Sequence, residues 1–163
     1  MHKFYIIFTV LFLTACTITD NKAIQTHELA AVPLELTTHL GGKREFIRGD
    51  EIQFLLSLGN DAYIYMYYID AEKNITQILP NKSQRSNHYL AGYFLTIPEY
   101  NDDYRFLVRE PFGEEKIWIV ASDQSIDISA SDKTIETIKQ EIKEKSKREY
   151  GEYVFNIFTM PSH

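Results

Sequence analysis

The chain has 163 residues, with 17 Lys and Arg against 23 Asp and Glu, for a formal charge of −6. An acidic chain without a basic cluster cannot supply the phosphate-neutralising term that dominates nucleic-acid binding, so nucleic acid is excluded as a ligand, and attraction to anionic lipid is disfavoured equally. A single cysteine rules out a disulfide framework, and the roughly 130 residues from Pro33 to Met160 fit one compact domain with its own core.

Met1–Ala15 reads as a lipoprotein signal peptide. Lys3 precedes the apolar run Phe4–Leu13, which is too short for a helix of about twenty residues that spans a bilayer. Leu13-Thr14-Ala15-Cys16 resembles a lipobox, in which the cysteine thiol receives diacylglycerol, the peptide is cut before it, and the new amino terminus is acylated. Each buried lipid methylene contributes about 0.8 kcal/mol and stable anchoring needs more than one chain, so a lipidated Cys16 would tie the protein to a membrane. The alternative is an ordinary buried thiol behind a conventional signal peptide. A lone free cysteine is out of place in an exported chain, whereas a lipidated one needs no disulfide partner. Thr17, rather than Asp, follows the cysteine; in enteric-type sorting this favours the outer membrane, with the protein on its periplasmic face. Residues 16–32 then form the lipidated cysteine and a polar tether, and residues 33–160 a single β-rich domain.

Within that domain the hydrophobic pattern has mostly period two. Pro33–Leu40 is a first candidate strand. Ile52, Phe54, Leu56 and Leu58 alternate with Glu51, Gln53, Leu55 and Ser57, and Tyr63, Tyr65, Tyr67 and Ile69 alternate with Ile64, Met66 and Tyr68. Leu58-Gly59-Asn60-Asp61 between them predicts a hairpin with a short connection. Further strands are expected at Ile75–Leu79, Gly92–Ile97, Tyr104–Arg109 and Lys116–Ala121. They are separated by Pro80-Asn81, Pro98 through Asp103, and Pro111-Phe112-Gly113, breakers at spacings that suit antiparallel strands.

Asp132–Glu149 departs from the pattern. It is rich in Lys and Glu and places Ile135, Ile138 and Ile142 at helical spacing, which predicts one amphipathic helix capped by Ser131 or Asp132 and stopped by Gly151. Its isoleucine stripe is expected on the sheet edge or face. A last strand, Glu152–Thr159, alternates Tyr153, Phe155 and Ile157 with Val154, Asn156 and Phe158. The expected fold is mainly β: an antiparallel sandwich-like or barrel-like domain with one C-terminal amphipathic helix and a final strand.

The series Arg48-Gly49-Asp50-Glu51-Ile52, Tyr63-Ile64-Tyr65, Leu79-Pro80-Asn81, Ala91-Gly92, Ile97-Pro98 and Pro111-Phe112-Gly113 resembles the domain of unknown function 4384 family over Leu34 to Ser122. Its members are typically exported or lipid-anchored bacterial proteins, or modules appended to envelope or signalling domains. The resemblance implies architecture and location and assigns no activity. The helix lies beyond the shared pattern.

The same residues have a direct physical reading. Gly49-Asp50 is a turn that launches a strand, with glycine free to take positive φ and Asp50 able to accept from neighbouring backbone N–H groups; the adhesive Arg-Gly-Asp reading lacks an exposed loop tip. Leu79-Pro80-Asn81 ends a strand, since proline removes a donor and asparagine tolerates the turn. Phe112 is either a loop aromatic folded over a sheet edge or a ligand-stacking ring.

Catalytic motifs are absent: there is no Gly-x-Ser-x-Gly elbow, no glycine-rich phosphate loop and no His-Glu-x-x-His. With Cys16 lipidated, cysteine nucleophiles and zinc-thiolate sites fall away. His39 and His88 are the only histidines expected inside the fold, and neither has carboxylates at ligand spacing, so no metal and no cofactor are expected. Asp102-Asp103 and Glu114-Glu115 read as solvating loop acids, against a weak calcium contact or an acid–base pair. The sequons at Asn74 and Asn81 are discounted for a bacterial lipoprotein.

The aromatic load stands out, with 11 tyrosines and 10 phenylalanines. Tyrosines on both faces of Tyr63–Tyr68 imply that at least one reaches solvent or a partner. Tyr68, Tyr89, Tyr93, Tyr100 and Phe112 are the candidate interaction surface, weighed against a core role. The functional expectation is a non-enzymatic outer-membrane lipoprotein serving as an assembly or accessory module of a larger secretion or surface-appendage complex, with envelope proteins as partners. The alternative is a peptidoglycan- or glycan-binding periplasmic lipoprotein; a hydrolase using the paired acids ranks third.

Overall fold

The computed structural model describes residues 32–82, 84–128, 133–146 and 150–162. The signal segment, Cys16 and the tether through Ala31 lie outside the described residues. Among the described residues, nine strands and one helix follow in the order β1 (Leu34–Thr38), β2 (Glu45–Ile47), β3 (Phe54–Leu58), β4 (Ala62–Ile69), β5 (Ile75–Leu79), β6 (His88–Tyr89), β7 (Phe94–Ile97), β8 (Glu114–Ser122), α1 (Ile135–Lys145) and β9 (Gly151–Met160).

Two sheets form. The smaller runs β1-β3-β7; the larger runs β2-β9-β8-β4-β5, with β6 also paired to β4. Pairing is antiparallel throughout except where β2 meets β9 in parallel, Glu45 opposite Phe158. Alternation in the sequence becomes the layer order. Phe54, Leu56 and Leu58 of β3 face Ile64, Met66, Ile117, Ile119 and Phe155 across the sandwich, and all are buried. Phe54 meets Phe106 and Phe155 edge to face, at centroid separations of 5.2 and 6.4 Å.

The larger sheet is covered on its other face as well. Tyr65 and Tyr67 of β4 stand opposite Val120 and Trp118 of β8, and Ile138 and Ile142 of α1 close over them with Ile126 and Ile128. Tyr67 stacks on Trp118 at 5.1 Å, and the Tyr65 hydroxyl accepts the Ile126 N–H at 2.6 Å. Burial on both faces explains why β4, and β8 from Ile117 to Ala121, carry consecutive apolar residues rather than alternating.

Several expectations need correction. The predicted hairpin across Leu58–Asp61 does not exist: both edges of β3 are taken, by β1 and β7, so β4 pairs in the other sheet and the short link crosses the sandwich, held by the Gly59 N–H on the Pro33 carbonyl at 2.8 Å. Tyr104–Arg109 is no strand. It makes only an isolated bridge, Leu107 to Glu51, with bonds from the Ile52 N–H to the Phe106 carbonyl and from the Val108 N–H to the Asp50 carbonyl. The helix is shorter than Asp132–Glu149, because Thr134 accepts from the Thr137 N–H as N-cap and the chain turns extended at Ser146. Ser131 and Asp132 lie outside the described residues, and Gly151 opens β9 instead of stopping the helix. Gly151 is required for a steric reason: a Cβ there would lie 2.1 Å from the Val32 carbonyl oxygen. The strands β2 and β6, of three and two residues, carry no periodic signal.

Candidate interaction surface

The link from β6 to β7 joins the edge of one sheet to the edge of the other, and with the first residue of β7 it carries a cluster of highly exposed apolar residues. Leu90, Tyr93 and Phe94 are 58, 73 and 73 % exposed, and Tyr100, just beyond β7, is 85 % exposed. Gly92 makes the link possible by taking φ +83°. The Ala91 N–H is tied to the Asp61 carboxylate at 2.8 Å, which fixes the start of the link, and beyond β7 the Glu99 N–H on the Asp102 carboxylate at 2.7 Å closes the turn that carries Tyr100.

Of the predicted surface, Tyr93 and Tyr100 are therefore exposed, whereas Tyr68, Tyr89 and Phe112 are half-buried against the core. Leu90 and Phe94 were not anticipated. Their signal was present: Tyr89-Leu90-Ala91-Gly92-Tyr93-Phe94 places apolar residues side by side around a turn, where alternation would have demanded polar ones. Phe112 folds over the sheet edge with the Arg48 guanidinium 5.1 Å from its ring centre. Tyr89 and Tyr104 have hydroxyl pKa values pushed up to about 12, chiefly by burial and then by the acids around them, Glu99 and Asp102. The tyrosines of β4 occupy both faces: Tyr65 and Tyr67 are buried under α1 with Tyr63 half-buried beside them, and Tyr68 is half-buried against the sandwich core on the other face.

Glu114-Glu115 is the other correction, since both residues stand in β8 rather than in a loop. Glu114 is exposed, but Glu115 is only 2 % exposed. Its carboxylate accepts from the Thr159 hydroxyl at 2.7 Å and from the Tyr68 hydroxyl. Burial raises its pKa above the ordinary carboxylate range, and the two hydroxyl donors oppose that rise only in part. Asp102, by contrast, is a turn-closing acid. Asp50 accepts the Ile47 N–H at 3.1 Å beside Gly49 at φ +91°, so Arg48-Gly49-Asp50 is a strand-launching turn. His39, in the turn after β1, accepts the Gln53 N–H, and His88, in β6 of the larger sheet, packs on Tyr63 at 4.7 Å. Among the described residues no group of three or more His, Cys, Asp and Glu is placed to hold a metal, and no helix is long and apolar enough to cross a membrane.

The geometry defines a β-sandwich domain with one sheet covered by a helix and an exposed aromatic link between the edges of its two sheets. Residues 45–125 match the family described as a domain of unknown function (DUF4384), and the chain carries a DUF4384-like domain there. That span takes in β2 through β8, leaving β1, α1 and β9 outside it. No curated protein matches the chain.

Proposed function

We propose that the protein is a lipid-anchored outer-membrane protein whose β domain acts, without catalysis, as an assembly or accessory module of a larger cell-envelope complex for secretion or a surface appendage. The observation that carries this reading is the cluster Leu90, Tyr93 and Phe94. Large apolar side chains held on a tethered link at 58 to 73 % exposure lose free energy in water and regain it against a partner protein. The lipobox-like Leu13–Cys16 supports the anchor.

The test is site-specific photo-cross-linking in intact cells, with the probe at Tyr93 or Phe94 and, as control, at the exposed Gln140 on α1. A small reproducible set of envelope proteins linked from the first two sites and not from the control is the expected result. Adducts to cell-wall material alone would transfer the proposal to the glycan-binding alternative.

A further inference from the structure

A groove of about 370 Å³ lies beside β5, its lining including Tyr68, Thr76, Ile78, Lys82, Tyr104 and Phe106. One wall is aromatic, with Phe106 edge to face on Tyr68 at 5.0 Å. The volume sits at the low end for binding pockets and suits one large side chain with parts of its neighbours.

Two features say what kind of molecule fits. First, β5 ends the larger sheet, so among the described residues no strand pairs with its outer side. An extended peptide laid there would send every second side chain toward the same face. The usable edge is short. Met66 pairs with Leu79 and Tyr67 with Gln77, so Ile78 is an extra, bulged residue, which is why Ile78 and Leu79 are buried in succession and why regular pairing is confined to Ile75–Gln77. Second, among the described residues Lys82 is the one charged residue in the lining. It is exposed, and it takes part in none of the ion pairs among the described residues. An ammonium at the rim of an apolar floor selects a carboxylate attached to an apolar group. The chain's charge of −6, with Glu99 and Asp102 near Tyr104 and Asp70 near Tyr68, opposes acidic partners, so the selection rests on direct contact with Lys82.

We propose that this groove docks a short extended acidic segment of a partner protein, seating one large apolar side chain against Tyr68, Tyr104 and Phe106 and a nearby carboxylate on Lys82. The inference rests on the protein-interaction reading above and assigns it a second surface, distinct in residues from the aromatic link.

The test is selection of a random phage-displayed peptide library on the full chain, followed by titration of the winning synthetic peptide against four variants. Two alter the groove, Lys82→Glu and the exposed, groove-filling Thr76→Trp; two alter the link, Tyr93→Ser and Phe94→Ser. The expected motif is a large apolar residue within two positions of Asp or Glu. Binding should weaken about tenfold or more in both groove variants, stay unchanged in both link variants, and return in Lys82→Glu when the peptide acid is replaced by lysine. No enriched motif, a motif without an acid, or indifference to Lys82→Glu would overturn the groove. Peptides lost only in Tyr93→Ser and Phe94→Ser would also overturn it while leaving the interaction reading in place.

Discussion

Glu115 is a carboxylate in a place where carboxylates are costly, 2 % exposed and with two hydroxyl donors in place of a cation. The consequence for stability has a definite sign. Its pKa is higher folded than unfolded, so between those two values the folded state keeps a proton that the unfolded state has released. Its contribution is fully present below the unfolded value and is lost as pH rises through the folded one. Glu141 slopes the other way, since its hydrogen bond with Lys133 lowers its pKa and its contribution is lost as pH falls. Subtracting the urea-unfolding curve of Glu115→Gln from that of the wild type removes Glu141. The difference should favour the wild type most at acidic pH and decline as pH rises past the ordinary carboxylate value. A difference independent of pH would contradict the buried-carboxylate account. Thr159 both donates to Glu115 and accepts the Gly113 N–H at 3.2 Å, so Thr159→Val should cost about 1–3 kcal/mol in the same melts.

At the scale of elements, α1 contributes mainly through its buried face. Ile138 and Ile142 have no exposure, and they cover the stacked pair Tyr67 and Trp118. Ile142→Ala should destabilise by about 2–5 kcal/mol in equilibrium unfolding. Trp118 is the only tryptophan, and its ring lies beneath Lys139 with its N–H donated to Glu152 at 2.8 Å, so its emission reports on the helix. Loosening α1 should shift that emission to the red before the sandwich unfolds. Simultaneous loss of both signals in the variant would mean that the helix and sheets melt as one unit. Strands whose alternation meets one buried face, such as β3, and β9 with Phe155 and Ile157 inward, were legible in the sequence, as was the isoleucine stripe. What escaped was pairing. Leu58-Gly59-Asn60-Asp61 has the composition of a hairpin turn, but composition does not reveal that β1 and β7 occupy both edges of β3. Glu115 escaped because its adjacency to Glu114 suggested a solvated pair, whereas period two sends the neighbours to opposite sides. The groove escaped because its lining comes from three stretches far apart in the chain.

At the scale of the molecule, the proposed anchor and the proposed contact surfaces are separable parts. On that reading, Cys16→Ser moves the protein from the membrane to the soluble periplasmic fraction with its urea midpoint unchanged, measured by fractionation and unfolding. Retention in the outer membrane would mean that something besides the lipid holds it. The final strand is an interior strand of the larger sheet. It lies between β2 and β8, with Phe46 opposite Thr159 and Ile117 opposite Phe155, and the Arg44 guanidinium closes on the Phe155 ring at 3.5 Å. Residues 45–47 and their parallel partners, residues 158–160, are separated by more than a hundred residues of chain. Until the final strand is in place, β2 has no neighbour in the larger sheet, so closing this parallel pair is a long-range step of folding.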